Sequence, residues 1–291
     1  MADAVTNGGP AVDDGLDMIA RLIHERAGLL YEDARRPLLA SRVRELMVAT
    51  GIPSMADLAC RLMKIEEETA LWDNLISRII TRESSWFRQG EHFTVLHDFV
   101  LPAVYSSKAF EQDAVVRILS AGCSQGQEAY SLAIMVEEFK EHSEGVRAVI
   151  EGCDIDAETV NFAREGVYSE PELRGLTPAH RAAHFERVGS RWRVAPHIRN
   201  AVRFFRHNLL EPLQTQPYDI IFCRNVTIYF DRETTKRVVR NLAEVLNPGG
   251  HLFSGHAEIW REPNPALKPI QFGETVIHRR ARGARWAEGK P

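Results

Sequence analysis

The sequence contains no run approaching the roughly 20 apolar residues that a membrane-spanning helix needs. Its start lacks the apolar core of a secretion signal. A cytoplasmic protein with no membrane insertion is therefore expected. Charge of one sign is not in excess: 36 Lys and Arg against 40 Asp and Glu leave a net charge of −4. Nothing global pulls the chain toward nucleic acid. Cysteine is scarce, and the four present (Cys60, Cys123, Cys153, Cys223) lack metal-ligand spacing. Three of them lie in or just after apolar segments, where cysteine acts as a small buried hydrophobe in a reducing compartment. The histidines do not cluster; His251 and His256, five apart in one strand candidate, fall on opposite faces. No metal is expected. Internal repeats are absent, and so is the Gly-x-Gly-x-x-Gly signature, which argues against a nicotinamide-dependent oxidoreductase.

What the chain does contain is centred on residues 115–130. An apolar, β-branched run (Val115, Val116, Ile118, Leu119) has the composition of a strand buried on both faces. Small residues follow (Ser120, Ala121, Gly122, Cys123, Ser124, Gly126), then a helical pattern with Tyr130, Leu132, Ala133, Met135 and Val136 on one side. Strand, glycine turn and helix make the first unit of a doubly wound α/β domain, in which the backbone can approach a ligand closely. Taken alone, the turn fits a purely structural bend equally well. The second unit sharpens it. Residues 147–153 form another strand candidate ending at Asp154-Ile155-Asp156, and an acidic residue at this tip is placed to hold ribose hydroxyls. Asp154 is assigned that role and Asp156 the cap of the helix over 157–164.

In chain order, residues 1–13 read as a disordered lead-in. Residues 14–80 read as a helical domain of four helices. The first carries Leu16, Ile19, Leu22 and Ile23 and ends at Gly28. The second carries Leu38, Leu39, Val43, Leu46 and Met47 and closes near Gly51. Ser54 with Asp57 caps the third, and the fourth spans about 68–80. On the second helix Arg35 and Arg42 are two turns apart and share a flank. That flank reads either as a solvated face or as a basic surface for an acidic helical partner. Residues 81–107 form a linker and a helix leading to Pro102. Within the linker, Trp86 and Phe87 either anchor it or wall an active site into which Arg88 points. Residues 108–280 form the α/β domain, with a small antiparallel insertion at about 168–200 around Gly189-Ser190. Further strands are expected over 202–208, 218–223, 251–255 and 271–278, with a helix over 233–246. Residues 281–291 are a polar tail.

Several local patterns, in order, make the chain resemble the chemotaxis receptor methyltransferases, the CheR family. They are the aromatic-Phe87-Arg88 motif, the Ser120-Ala121-Gly122-Cys123-Ser124 turn with Gly126 and Glu128, and Asp154-Ile155-Asp156. Downstream stand Asn208-Leu209-Leu210, Phe222-Cys223-Arg224-Asn225-Val226 running into Ile228-Tyr229-Phe230, Pro248-Gly249-Gly250 and Gly255-His256-Ala257-Glu258. The resemblance implies a helical N-terminal domain, a linker and a doubly wound, mostly parallel sheet carrying a small antiparallel subdomain. It implies methyl transfer from S-adenosylmethionine, leaving S-adenosylhomocysteine, to glutamates on cytoplasmic helices of chemoreceptors. Carried over residue by residue, the cofactor set is Ser84, Arg88, Gly122, Glu128, Asp154, Asn208, Leu209, Asn225 and Val226. Arg88 and Tyr229 are the catalytic candidates, and Arg35 and Arg42 the partner-binding ones. A monomer is expected. The subdomain loop holds one glycine, so recruitment through a receptor's C-terminal tail is not expected.

The chain also departs from the family pattern. Arg82 stands where Asn is typical, Ser84 where Thr is, Gln127 where Glu is, Ala129 where Pro is, and Thr227 where an apolar residue is commoner. A guanidinium beside a sulfonium is unfavourable, so Arg82 is expected to swing to solvent or pair with Glu83. Two other functions stay open: a methyltransferase of this fold acting on another acceptor, and a non-catalytic module that binds S-adenosylmethionine and signals.

Overall fold

The computed structural model describes residues 14–64, 69–111, 113–140, 146–258 and 264–282. The expected lead-in, the tail beyond residue 282 and the start of the fourth helix at Glu68 lie outside the described residues. The chain divides into two compact units, Met1–Ile79 and Ile80–Pro291.

Among its described residues the first unit carries the helices Asp14–Ala27, Arg36–Thr50, Met55–Met63 and Thr69–Ile79. Each buries one stripe, as the 3.6-residue spacing requires: Leu16, Ile19, Leu22 and Ile23 on the first, Leu58 and Leu62 on the third. Gly51 takes φ +68° and closes the second helix through its N–H to the Met47 carbonyl. Ser54 caps the third, accepting from the Asp57 N–H at 3.0 Å. Leu38, expected in the core, is 50% exposed, because the buried face of its helix is set by Leu39, Val43 and Leu46. Arg35 sits before that helix and turns back, with its guanidinium 4.9 Å from the Tyr31 ring centroid and donating to the Leu30 carbonyl at 3.3 Å. Arg42 pairs with Glu45 at 3.1 Å. The two arginines therefore do not share a helical flank.

Among the described residues the second unit has ten strands: β1 (Val115–Ala121), β2 (Arg147–Asp154), β3 (Val167–Tyr168), β4 (Phe185–Val188), β5 (Arg191–Val194), β6 (Val202–Arg206), β7 (Tyr218–Cys223), β8 (Leu246–Ser254), β9 (Leu267–Phe272) and β10 (Thr275–Arg280). Seven form one sheet in the order β6-β2-β1-β7-β8-β10-β9. The first five are parallel, and β10 runs antiparallel to both of its neighbours, β8 and β9. Strands β3, β5 and β4 make the separate antiparallel sheet of the insertion. Chain order reverses between β1 and β7, the switch point at which doubly wound sheets open a crevice. Register levels the carboxyl ends there, since Ser120 of β1 stands opposite both Gly152 of β2 and Phe222 of β7.

Two strand expectations change. The single strand over 271–278 is a hairpin, turning at Gly273, whose φ of +58° favours glycine. Strand β8 begins at Leu246 and includes the Asn247-Pro248-Gly249-Gly250 segment, with a register shift opposite β7 between Tyr218 and Ile220. The helix expected to lead to Pro102 instead continues past it to Lys108. A π turn, Leu96–Val100, lies between Gly90–Val95 and Leu101–Lys108, and places Pro102 in a first turn, where a missing N–H costs nothing.

His251 on β8 is buried between Ile220 of β7 and Arg279 of β10. Burial, and then the Arg279 charge, push its pKa down to about 4. Unfolded, it would titrate at about 6.5. The folded state thus binds fewer protons than the unfolded one between these values, and stability must fall as pH drops from about 6.5 toward 4. Urea unfolding should show His251→Gln losing less stability than the parent between pH 7 and 5, by roughly 1–2 kcal/mol.

Candidate active site

The glycine turn is fixed by the two strands beside it. Gly122, Ser124 and Gly126 take φ of +76°, +49° and +91°. The Cys153 carbonyl accepts from both the Gly122 N–H (2.8 Å) and the Cys123 N–H (2.9 Å), tying the turn to the end of β2. Gly122 has no room for a side chain: a Cβ there would stand 2.4 Å from Val226 Cγ2. One residue past Cys153, Asp154 accepts from the Ser124 N–H at 2.9 Å and the Asp156 N–H at 3.1 Å. Burial pushes its carboxyl above the ordinary range, and those two N–H donors partly offset it. Asp156 caps the next helix, accepting from the Glu158 N–H at 3.1 Å and from the Thr159 hydroxyl. At the edge of the crevice the His207 N–H donates to the Asp154 carbonyl at 2.9 Å, which brings Asn208 and Leu209 alongside. Asn241 Nδ2 holds that segment through the Leu209 and Leu210 carbonyls, both at 3.0 Å.

Across the crevice, β7 ends in Arg224 and a turn in which Asn225 takes φ +60°. Glu258, buried, organises this turn. One of its oxygens accepts from the Val226 N–H (2.8 Å), the Thr227 N–H (2.7 Å) and the Thr227 hydroxyl (2.9 Å). The other accepts from the Gly255 N–H at 2.5 Å. The threonine at position 227, unusual for the pattern, thus has a partner for its hydroxyl. Tyr229 follows on the turn Thr227–Tyr229, half-buried, with its N–H on the Val226 carbonyl at 3.3 Å.

The linker enters from the insertion side. Trp86, 1% exposed, is wedged among Tyr130, Tyr168 and Phe185 and donates its indole N–H to the Glu172 carbonyl at 2.9 Å. Phe87 stacks on His180 with ring centroids 4.7 Å apart. Both aromatics anchor the linker. Ser84 is half-buried just upstream. Arg88 is half-buried too, and its guanidinium donates to the Glu83 carbonyl at 3.5 Å. Arg82 neither swings to solvent nor pairs with Glu83. It bridges Asp156 at 2.9 Å and Glu158 at 2.6 Å, two carboxylates that draw its charge away from the crevice.

Sequence reasoning passed over the group that joins these parts. Arg224, its side chain 1% exposed, donates through Nε to Glu128 at 2.8 Å and through a terminal nitrogen to the Arg88 carbonyl at 2.6 Å. Ser120 Oγ donates to the other Glu128 oxygen at 2.8 Å. The same Arg224 nitrogen meets His92 Nδ1 at 3.2 Å, which requires a neutral imidazole there. Burial first, then the Arg224 and His256 charges, push the His92 pKa down to about 3. The signal was present in the sequence: a charge directly after a buried strand whose last four residues are apolar must find partners. Gly122, Glu128, Asp154, Asn208, Leu209, Asn225, Val226 and Arg88 are thus linked around one crevice. Among the described residues Ser84 makes no hydrogen bond to this group, and the Tyr229 N–H joins it through the Val226 carbonyl. Arg35 and Arg42 belong to the other unit. Among the described residues no group of three candidate ligands could hold a metal.

Residues 82–275 match the CheR methyltransferase SAM-binding domain, and residues 14–80 match the CheR methyltransferase all-alpha domain. The chain belongs to the CheR methyltransferase family. It is 30% identical over 275 residues to chemotaxis protein methyltransferase 1 of Pseudomonas aeruginosa, covering 92% of this chain and 98% of that one. Identity is 34% over 265 residues with the chemotaxis protein methyltransferase of Vibrio parahaemolyticus, covering 89% and 94%. With that of Escherichia coli it is 32% over 246 residues, covering 82% of each. S-adenosylmethionine is the cofactor, and the crevice fits it. The Ser124 hydroxyl and Gln127 Oε1 are buried without a hydrogen-bond partner among the described residues, two polar atoms at the turn that a bound ligand would satisfy.

Gly122→Ala is expected to weaken S-adenosylhomocysteine binding at least about tenfold by calorimetry, since both the positive φ and the space forbid a Cβ. Gly189→Ala, also at positive φ but with nothing within 4 Å, should leave binding unchanged.

Proposed function

We propose that the chain is a protein-glutamate O-methyltransferase that modifies glutamates on the cytoplasmic helices of chemoreceptors. S-adenosylmethionine, when bound, supplies a methyl group on a sulfonium. Ser84, Gly122, Glu128, Asp154, Asn208, Leu209, Asn225 and Val226 would hold it, with Asp154 on the ribose side. A glutamate acceptor is already ionised at neutral pH, its unperturbed pKa being about 4.3. No general base is then needed, and the task left to the protein is to desolvate and align.

The observation that carries the reading is Arg88. Its backbone is gripped by Arg224, while its side chain makes, among the described residues, one long hydrogen bond, to the Glu83 carbonyl at 3.5 Å. The neighbouring charges are already engaged, Glu128 by Ser120 and Arg224 and Asp154 by the Ser124 N–H, which supports reading Arg88 as the cation left for a ligand. A guanidinium in that position suits a carboxylate arriving from outside, which it orients by charge-assisted hydrogen bonds. Tight pairing would blunt the carboxylate as a nucleophile, so Arg88 orients more than it neutralises. Tyr229, on the turn after Val226, is proposed as the second donor.

Titration with S-adenosylmethionine and S-adenosylhomocysteine, followed by methyl incorporation into receptor cytoplasmic fragments and into other acceptors, tests the proposal. Incorporation only into other acceptors would reassign the substrate, and binding with no turnover on any acceptor would indicate a signalling module. Arg88→Ala should lower kcat about a hundredfold while changing S-adenosylhomocysteine affinity less than about threefold. Equal loss of both would mean that Arg88 serves mainly the cofactor.

A further inference from the structure

Arg88 is flanked by two residues in the left-handed region, Phe87 at φ +48° and Gln89 at φ +56°. Neither is a glycine, and residues with a side chain adopt this conformation only at an energetic cost. Something must therefore hold the turn. Below it lies Arg224, whose planar guanidinium offers five donors in a fixed fork. One end reaches Glu128 Oε2 at 2.8 Å. The other reaches the Arg88 carbonyl at 2.6 Å, His92 Nδ1 at 3.2 Å and Gln89 Oε1 at 3.5 Å. Its central carbon lies 5.3 Å from the Phe93 ring centroid and 5.2 Å from that of Phe222, so aromatic faces fix the plane of the fork. A buried charge is not the cheapest way to fill such a space; apolar side chains of similar volume often do as well or better. The fork does what apolar packing cannot: it sets the distance between a carboxylate on the helix Gln127–Phe139 and a backbone carbonyl in the linker.

We propose that Arg224 is a positioning residue for methyl transfer. It locks the strained Phe87-Arg88-Gln89 turn to Glu128, so that the Arg88 guanidinium and the cofactor-side carboxylate occupy one fixed frame. The inference rests on the role given above to Arg88, but its structural half stands apart from the identity of the acceptor.

Arg224→Lys keeps the charge and can satisfy Glu128, but a single ammonium cannot span both ends of the fork. In the full-length variant, hydrogen exchange of the peptide covering Phe87 to His92 should speed at least about tenfold, with S-adenosylhomocysteine binding weakened about tenfold. On receptor fragments kcat should fall about a hundredfold while the acceptor KM moves less than about threefold. Arg88→Ala, costly alone, should add less than about threefold in the Arg224→Lys background, because a mispositioned guanidinium has little left to lose. Unchanged exchange in the 87–92 peptide would overturn the proposal, and so would full multiplication of the two kinetic effects. Should Arg224→Lys fail to fold, the double variant Arg224→Lys/Gln89→Gly relieves the left-handed strain and restores folding. Its kcat is expected to stay low, and recovery to the parental value would refute a positioning role. If the parent chain binds S-adenosylhomocysteine yet methylates no receptor fragment, the glutamate assignment fails, and the exchange and binding measurements still decide the role of Arg224.

Discussion

The register that sets Ser120 opposite both Gly152 and Phe222 decides where everything else in the Ile80–Pro291 unit has to go. Three adjacent parallel strands end level, so the residues just beyond them, Gly122, Asp154 and Arg224, emerge along one edge. Backbone hydrogen bonds then finish the edge. The Cys153 carbonyl holds the glycine turn, the Asp154 carbonyl holds the segment leading to Asn208, and Glu258 holds the turn from Asn225 to Thr227. A one-residue slip of β7 would reverse its faces, turning Phe222 away from Phe253, whose ring it stacks at 4.2 Å, and carrying Arg224 away from Glu128. The crevice and the core are therefore specified by the same pairing.

That edge gathers charge, and each charge is compensated in a different way. Glu258 is buried and satisfied by four donors, three of them backbone N–H groups. Glu128 is shared between a hydroxyl and Arg224. Asp154 is compensated only in part, and burial keeps its carboxyl raised. The three cysteines along these strands, Cys123, Cys153 and Cys223, have their thiols pushed up by burial, which leaves them protonated and inert. The reactive potential of the site thus lies in its polar cradle, with no nucleophile of the protein's own. A direct displacement asks for the same arrangement.

The doubly wound sheet, its glycine turn, the acidic tip and the antiparallel insertion were legible because each has a local signature: β-branched runs, a small-residue bend, Asp after a strand, Gly-Ser between short alternating pieces. The misread details have local causes. Gly273-Glu274 is a weak turn signal beside Asn-Gly or Asp-Gly, so β9 and β10 read as one strand. Pro102 looked like a helix stop because a π turn before it leaves no trace in composition. Arg35 was placed on a helix that begins one residue later. Arg224 and Glu258 stood in plain sight within family-like runs, but their roles depend on partners 96 and about 30 residues away. No spacing rule reaches across such separations.

Arg82 shows how a departure from the family pattern is absorbed. Read locally, a guanidinium two residues before Ser84 threatens a cationic cofactor. In the fold it faces the other way, onto Asp156 and Glu158 at the start of the helix Ala157–Glu165. Burial, and to a lesser extent the Asp156 charge, raise the Asp154 carboxyl, and Asp156 itself is paired with Arg82 at 2.9 Å. The same cation sits where a helix N-terminus already favours anions, so the two carboxylates meet both the helix dipole and Arg82. Arg82 is thereby tied to the residues beside Asp154. The guanidinium is used up on Asp156 and Glu158, so the substitution leaves the hydrogen bonds of Asp154 to the Ser124 and Asp156 N–H groups in place.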